Sequence, residues 1–187
     1  IAMRLHKTAA AETSPLRMEQ IPLPVPGAGE VLVRVSACGV CHTDLHLVEG
    51  EIIPARYPIV PGHQVVGTIC QTGSNVSNTR IGERVGLPWL YAACGKCGFC
   101  LRGEENLCPN AMFTGLPVDG GFAEYVVAKA GYLLRLPENL TDLEAAPLLC
   151  AGIIGYRSLC KAEVQAGDRV GLVGFGASAH LALPVAR

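Results

Sequence analysis

The sequence predicts an irregular, mainly β barrel over roughly residues 1–135, followed by the opening of an α/β unit. Three observations carry that expectation. Short stretches alternate apolar and polar side chains, and glycine and proline punctuate the gaps between them. A helix-start signal at Thr141 then precedes an apolar run, a glycine turn and a second apolar run.

Taken in order, Ala2–His6, Leu16–Ile21 and Glu30–Ala37 read as strands. The last sets Val31, Val33 and Val35 against Leu32, Arg34 and Ser36. The Pro22–Gly29 segment between them holds three prolines, which remove donors and fix φ, so it excludes regular structure. Cys41–Leu47 reads as a short helix, and Val65–Gln71, Arg84–Leu87 and Phe122–Ala128 as further strands. Thr141 and Glu144 form a capping box that starts a largely helical stretch reaching about Leu159. Arg169–Val173 reads as a buried strand, and Gly174-Phe-Gly176-Ala-Ser-Ala179 opens the next helix, which Pro184 should kink.

Between the last two barrel strands lies Cys94-Gly-Lys-Cys97-Gly-Phe-Cys100, with Cys108 eight residues on. Four thiolates at such spacing close a tetrahedron around one zinc ion and leave no open position, the signature of a structural site. The alternative is a pair of disulfides in a secreted loop. Nine cysteines is an odd number, however, and nothing in the sequence resembles a signal peptide. A reducing, cytoplasmic setting is therefore expected.

Half of the residues are hydrophobic and 17% are charged, so a sizeable core is expected and disorder is not. A net charge of −1 offers no basic surface for nucleic acid and no charge run for a membrane. Cys38, Cys70 and Cys160 stand in apolar stretches and read as small buried hydrophobes. Trp89 and Tyr91 read as packing under the cysteine lobe or lining a cleft wall, and Trp89, Phe113 and the neighbourhood of Thr43 are candidate substrate contacts.

A second group of ligand-type residues is scattered: Cys41-His42-Thr43-Asp44, Pro61-Gly62-His63-Gln64, and Cys150 in Leu148-Leu-Cys-Ala-Gly152. Each is weak alone. Cys150 in an apolar helix is more often a core residue than a ligand. The ordered series Cys38-Gly-Val-Cys-His-Thr-Asp44, Pro61-Gly-His63, the four-cysteine lobe, Asp119-Gly-Gly-Phe-Ala-Glu-Tyr125, Leu148–Gly152 and the closing glycine turn is far more specific. In that series the chain resembles the zinc-dependent alcohol dehydrogenases of the medium-chain dehydrogenase/reductase family, from its first strand to its last residue.

The resemblance implies a GroES-like catalytic domain over residues 1–140, with a zinc lobe at about 89–112. Residues 141–187 would form a linking helix and the first strand–turn–helix of a Rossmann domain. It implies two zinc ions, a structural one on Cys94, Cys97, Cys100 and Cys108 and a catalytic one on Cys41, His63 and Cys150 with a fourth position open to water or substrate. Thr43 would accept the proton of an alcohol and His46 would pass it to solvent. Asp44 would orient a ligand histidine, and His42 would face the cofactor phosphates. Gln64 departs from the family, which usually carries glutamate there; the lost charge predicts slower ligand exchange.

Gly174, Gly176 and Ala179 fit a dinucleotide fingerprint for NAD or NADP. The residue that selects between the coenzymes would lie ~20 positions further on. The implied reaction interconverts primary or secondary alcohols and aldehydes or ketones. An NADPH-preferring aldehyde reductase is the neighbouring alternative, and a zinc-binding module without turnover the distant one. A helix that needs a sheet to lie on makes the chain read as the N-terminal half of a longer protein, inactive alone, whose parent would be a homodimer or homotetramer.

Overall fold

The computed structural model describes residues 1–187, and a five-stranded antiparallel sheet forms its centre. In chain order the strands are β1 (Ala2–Leu5), β2 (Leu16–Glu19), β3 (Glu30–Gly39), β4 (Gln64–Thr72), β5 (Arg84–Leu87), β6 (Leu90–Ala92), β7 (Met112–Phe113), β8 (Tyr125–Lys129) and β9 (Leu134–Arg135). The central sheet runs β8-β3-β4-β5-β9, while β1-β2 and β6-β7 form separate hairpin-like pairs. The long β3 is the spine, flanked by β4 and β8. Its register against β4 slips between Leu32 and Val33 and again between Val35 and Ala37. Such bulges increase twist and bend the strand, and here they curl the sheet into a partial barrel.

The predicted alternation fills that curl. Val31, Val33, Val65, Ile69, Val85, Leu87, Tyr91, Val126 and Ala128 form one buried cluster, so Tyr91 is a core residue. Leu32 is buried as well, where strict alternation places a solvent-facing residue. Loop backbone closes the barrel: Ala2 bridges Ala123 and Leu5 bridges Ile59.

Five helices accompany the strands: α1 (His42–Glu49), α2 (Gly98–Leu101), α3 (Asp142–Ala145), α4 (Ala151–Lys161) and α5 (Ala177–Ala186). The capping box at Thr141 forms as the sequence predicts, with Thr141 Oγ1 accepting from the Glu144 N–H at 3.3 Å and Glu144 Oε2 accepting from the Thr141 N–H at 2.9 Å. The stretch it starts is not one helix. After a 3₁₀ turn at Ala146–Leu149 the backbone leaves helical geometry at Cys150 (φ −134°, ψ −74°), and the segments either side are bent by 51°. Ala145, Ala146 and Leu149 seat this bent arm on Ala37 and Val66 of the barrel.

Two expectations fail. Residues 169–173 form no strand, and Val173 is fully exposed. A parallel strand is stable only against neighbours, and no strand of this chain pairs with it, so its donors and acceptors face water. Cys70 and Cys160 are exposed rather than buried. Cys70 lies near the outer end of β4, and Cys160 in the last turn of α4 where no element covers it. α5 runs through Pro184 to Ala186. No single helix is long and apolar enough to cross a membrane.

Candidate metal centres

Two groups of metal-ligating side chains assemble, and each draws together the residues that the sequence marked. Cys94, Cys97, Cys100 and Cys108 bring their sulfurs within 4.8 Å of one another. Cys97 and Cys100 lie 3.5 Å apart and Cys94 and Cys100 3.9 Å apart. Four sulfurs at about 2.3 Å from one zinc stand about 3.8 Å apart, so this cage fits the ion. Gly95 and Gly103 take positive φ (70° and 73°), turning the chain back so that the sulfurs converge. The backbone N–H groups of Lys96 and Cys97 aim at Cys94 and lower its pKa to about 6, which prepares a thiolate without an alkaline solution.

Cys41, His63 and Cys150 likewise bring their ligand atoms within 4.8 Å. They come from three places: the N-cap of α1, the loop before β4, and the break in the bent arm. Cys41 Sγ stands 3.2 Å from His63 Nε2 and accepts the Thr43 N–H at 3.3 Å. Hydrogen bonding from Cys150, against a burial penalty and helped by His63, holds Cys41 down at about 3, while its partner Cys150 is pushed up. A divalent cation binding here would displace the protons that Cys150 and His63 hold beside the Cys41 thiolate.

Asp44 organises this centre from behind. It is buried, and its Oδ1 lies 3.2 Å from His63 Nδ1 and accepts the Gly62 N–H at 3.1 Å. Oδ2 accepts the Cys41 N–H at 2.9 Å. One carboxylate therefore fixes the tautomer of His63, the loop that carries it and the cap that carries Cys41. Burial disfavours the charged form of His63, yet the bonds to Asp44 and Cys41 outweigh it and raise its pKa to about 9. Gly62 is required here: φ is +96°, and a Cβ would meet the Phe122 ring at 2.5 Å and Cys38 Sγ at 2.9 Å.

The other marked residues spread around this core. Trp89 meets His63 edge to face with ring centroids 4.6 Å apart and stacks on Phe113 at 4.9 Å. Thr114 accounts for its position, donating its backbone N–H to Trp89 O and its hydroxyl to Pro88 O. Thr43 is half-buried in the first turn of α1, and Gln64 is fully buried against Gly39. His42 is exposed, and its ring lies 4.6 Å from that of His46, whose Nδ1 pairs with Glu51. Gly174 (φ +79°) and Gly176 precede the N-terminus of α5 with open space where a Cβ would stand, and Ala179 lies one turn into that helix.

Gly62 and Glu51 were not marked as site residues by the sequence. Pro-Gly before a histidine was the signal for the first. For the second, the signal was a carboxylate directly after the helix-ending Gly50.

Residues 27–138 match the alcohol dehydrogenase GroES-like domain family. The chain is 46% identical over 190 residues to a probable alcohol dehydrogenase AdhA of Mycobacterium tuberculosis, covering 99% of the chain and 55% of that protein. It is 44% identical to an alcohol dehydrogenase of Geobacillus stearothermophilus, covering 92% of the chain and 51% of the relative. The structure of a cobalt- and zinc-bound thermostable alcohol dehydrogenase from Pyrobaculum aerophilum superposes with a TM-score of 0.91 at 27% identity, covering 99% of the chain and 55% of that structure. The chain thus spans about half the length of the curated relatives it matches.

Proposed function

Because the chain belongs to the zinc-containing medium-chain alcohol dehydrogenase family, we propose that it supplies the catalytic domain of an enzyme that oxidises primary or secondary alcohols by hydride transfer to NAD or NADP. The observation that carries this reading is the convergence of Cys41, His63 and Cys150 on one point, with Asp44 locking His63 from behind. Three protein ligands leave a tetrahedral ion one position for substrate, whereas the four-cysteine cage leaves none. A zinc ion held by the three supplies Lewis acidity, lowering the pKa of an alcohol beside it.

The chain's own groups do the rest. The Thr43 hydroxyl, two residues from Cys41, takes the alcohol proton, and His46, one turn on and half-exposed, releases it to solvent. Trp89 and Phe113 form an apolar wall beside His63 that keeps water from the reacting carbon and favours small alcohols. The N-terminus of α5 after Gly174 and Gly176 receives the dinucleotide pyrophosphate, with His42 facing the same phosphates. Gln64 places a neutral amide where the family carries a charge, which slows exchange of ligands at the open position. That six of the nine cysteines stand in metal-binding groups fits a reducing, cytoplasmic compartment.

The unpaired segment at residues 169–173 supports the reading that these 187 residues alone bind zinc without turning over alcohol. The test is zinc content and turnover on the same samples. Two zincs per chain, no alcohol oxidation by the 187 residues, and NAD(P)H formation by a protein extended to the relatives' length are expected. Two zincs with no turnover in the extended protein would reduce the chain to a metal-binding module.

A further inference from the structure

Helix α1 carries a second pair of imidazoles that the zinc centre does not use. His42 and His46 are four residues apart, so they lie one turn above one another on the same face. Their ring centroids are 4.6 Å apart, with planes crossed at 73°. A pair of histidines at this helical spacing is a bidentate grip for borderline divalent cations such as Zn²⁺, Cu²⁺ and Ni²⁺.

The end of α1 supplies the third part. The His46 carbonyl accepts the N–H groups of Gly50, Glu51 and Ile52 at 3.0, 2.9 and 3.1 Å, folding the chain back over the helix. That closure sets the Glu51 carboxylate against His46 Nδ1. A proton held between Nδ1 and a carboxylate leaves Nε2 with its lone pair free and fixes the ring, as Asp44 does for His63. His42 is exposed and His46 half-exposed, so an ion reaches both from solvent.

We propose that His42 and His46, with Glu51 orienting the latter, form a third divalent-cation site, weaker than the two cysteine sites and open at the surface beside the catalytic centre. An ion there occupies the imidazole assigned above to proton release and the one assigned to the cofactor phosphates, so excess Zn²⁺ inhibits turnover. That consequence rests on the proposed dehydrogenase chemistry; the binding itself does not.

The experiment is calorimetric titration of Zn²⁺ into the chain with both cysteine sites already filled. A third equivalent is expected in the unaltered protein. His42→Ala abolishes it, and Glu51→Gln weakens it about 10-fold or more, the usual effect of losing a carboxylate behind a ligand histidine. His42 is exposed, so its substitution leaves the fold intact, which circular dichroism verifies. Absence of a third equivalent, or its retention in His42→Ala, overturns the proposal. Either outcome leaves the dehydrogenase reading standing, because that reading depends on Cys41, His63 and Cys150.

Discussion

Replacing Asp44 by asparagine isolates what the buried carboxylate contributes. The side chain keeps its shape, but one of its two oxygens becomes an NH₂ group. Oδ2 now serves the Cys41 N–H, while Oδ1 serves the Gly62 N–H and His63 Nδ1. Whichever way the amide turns, its NH₂ faces a donor, and at least one buried N–H loses its acceptor. A hydrogen bond to a charged group contributes about 1.5–3 kcal/mol, and an orphaned buried donor costs about 1–3 kcal/mol. A net loss of roughly 2–3 kcal/mol lowers Tm by roughly 4–12 °C in a chain of this size. Loss of the carboxylate behind a ligand histidine also weakens metal binding about 10- to 100-fold. Zinc release to a chromophoric chelator would then show one fast and one slow equivalent in Asp44→Asn, the slow one belonging to the four-cysteine cage. A variant that keeps both zincs at unaltered affinity, with Tm moved by no more than about 1–2 °C, would show that Asp44 is an incidental neighbour.

Two further outcomes follow from the geometry. Cys108→Ser opens the cage: zinc content falls from two to one, and trypsin cuts first at Lys96 or Arg102 within the lobe while the barrel resists, as timed mass spectrometry would record. The nearby Ser36 hydroxyl and the Arg84 guanidinium, whose Nε donates to Oδ1 at 2.7 Å, lower the pKa of Asp142 below the usual carboxylate value. Because the folded pKa lies below the unfolded one, its contribution is present above about pH 4 and is lost as pH falls through the folded value. Asp142→Asn should therefore cost under about 1 kcal/mol at pH 7, the pair being partly exposed, with the deficit shrinking as thermal melts are taken toward pH 3. A deficit that stays constant across that range would assign the effect to packing.

What could be read directly was whatever depends on near neighbours. Val31 and Val33 alternate on one strand, Thr141 and Glu144 cap one helix, and four cysteines curl one loop; each needs only residues within a few positions. The failures all involve partners far along the chain. Residues 169–173 have a strand's composition but no ladder to join, and the two-residue strands β6 and β7 exist only because they meet across the cysteine lobe. The break at Cys150 is hidden in the same way. Leu148-Leu-Cys-Ala is ordinary helical sequence, and the kink arises where the arm lies down on Ala37 and Val66. The resemblance to a family marked Cys150 as a ligand, whereas residue chemistry alone favoured a core thiol.

That break has a mechanical corollary. Cys41 and His63 belong to the barrel and Cys150 to the arm resting on it, so the three-point centre straddles a seam. An ion bound there acts as a rivet through both plates, and prying the arm away by one helical turn would strip it of a ligand. The off-rate of that ion therefore serves as a clock for how often the seam gapes. Any substitution at Ala146 or Leu149 that loosens the joint should make the clock run faster without touching a single coordinating atom.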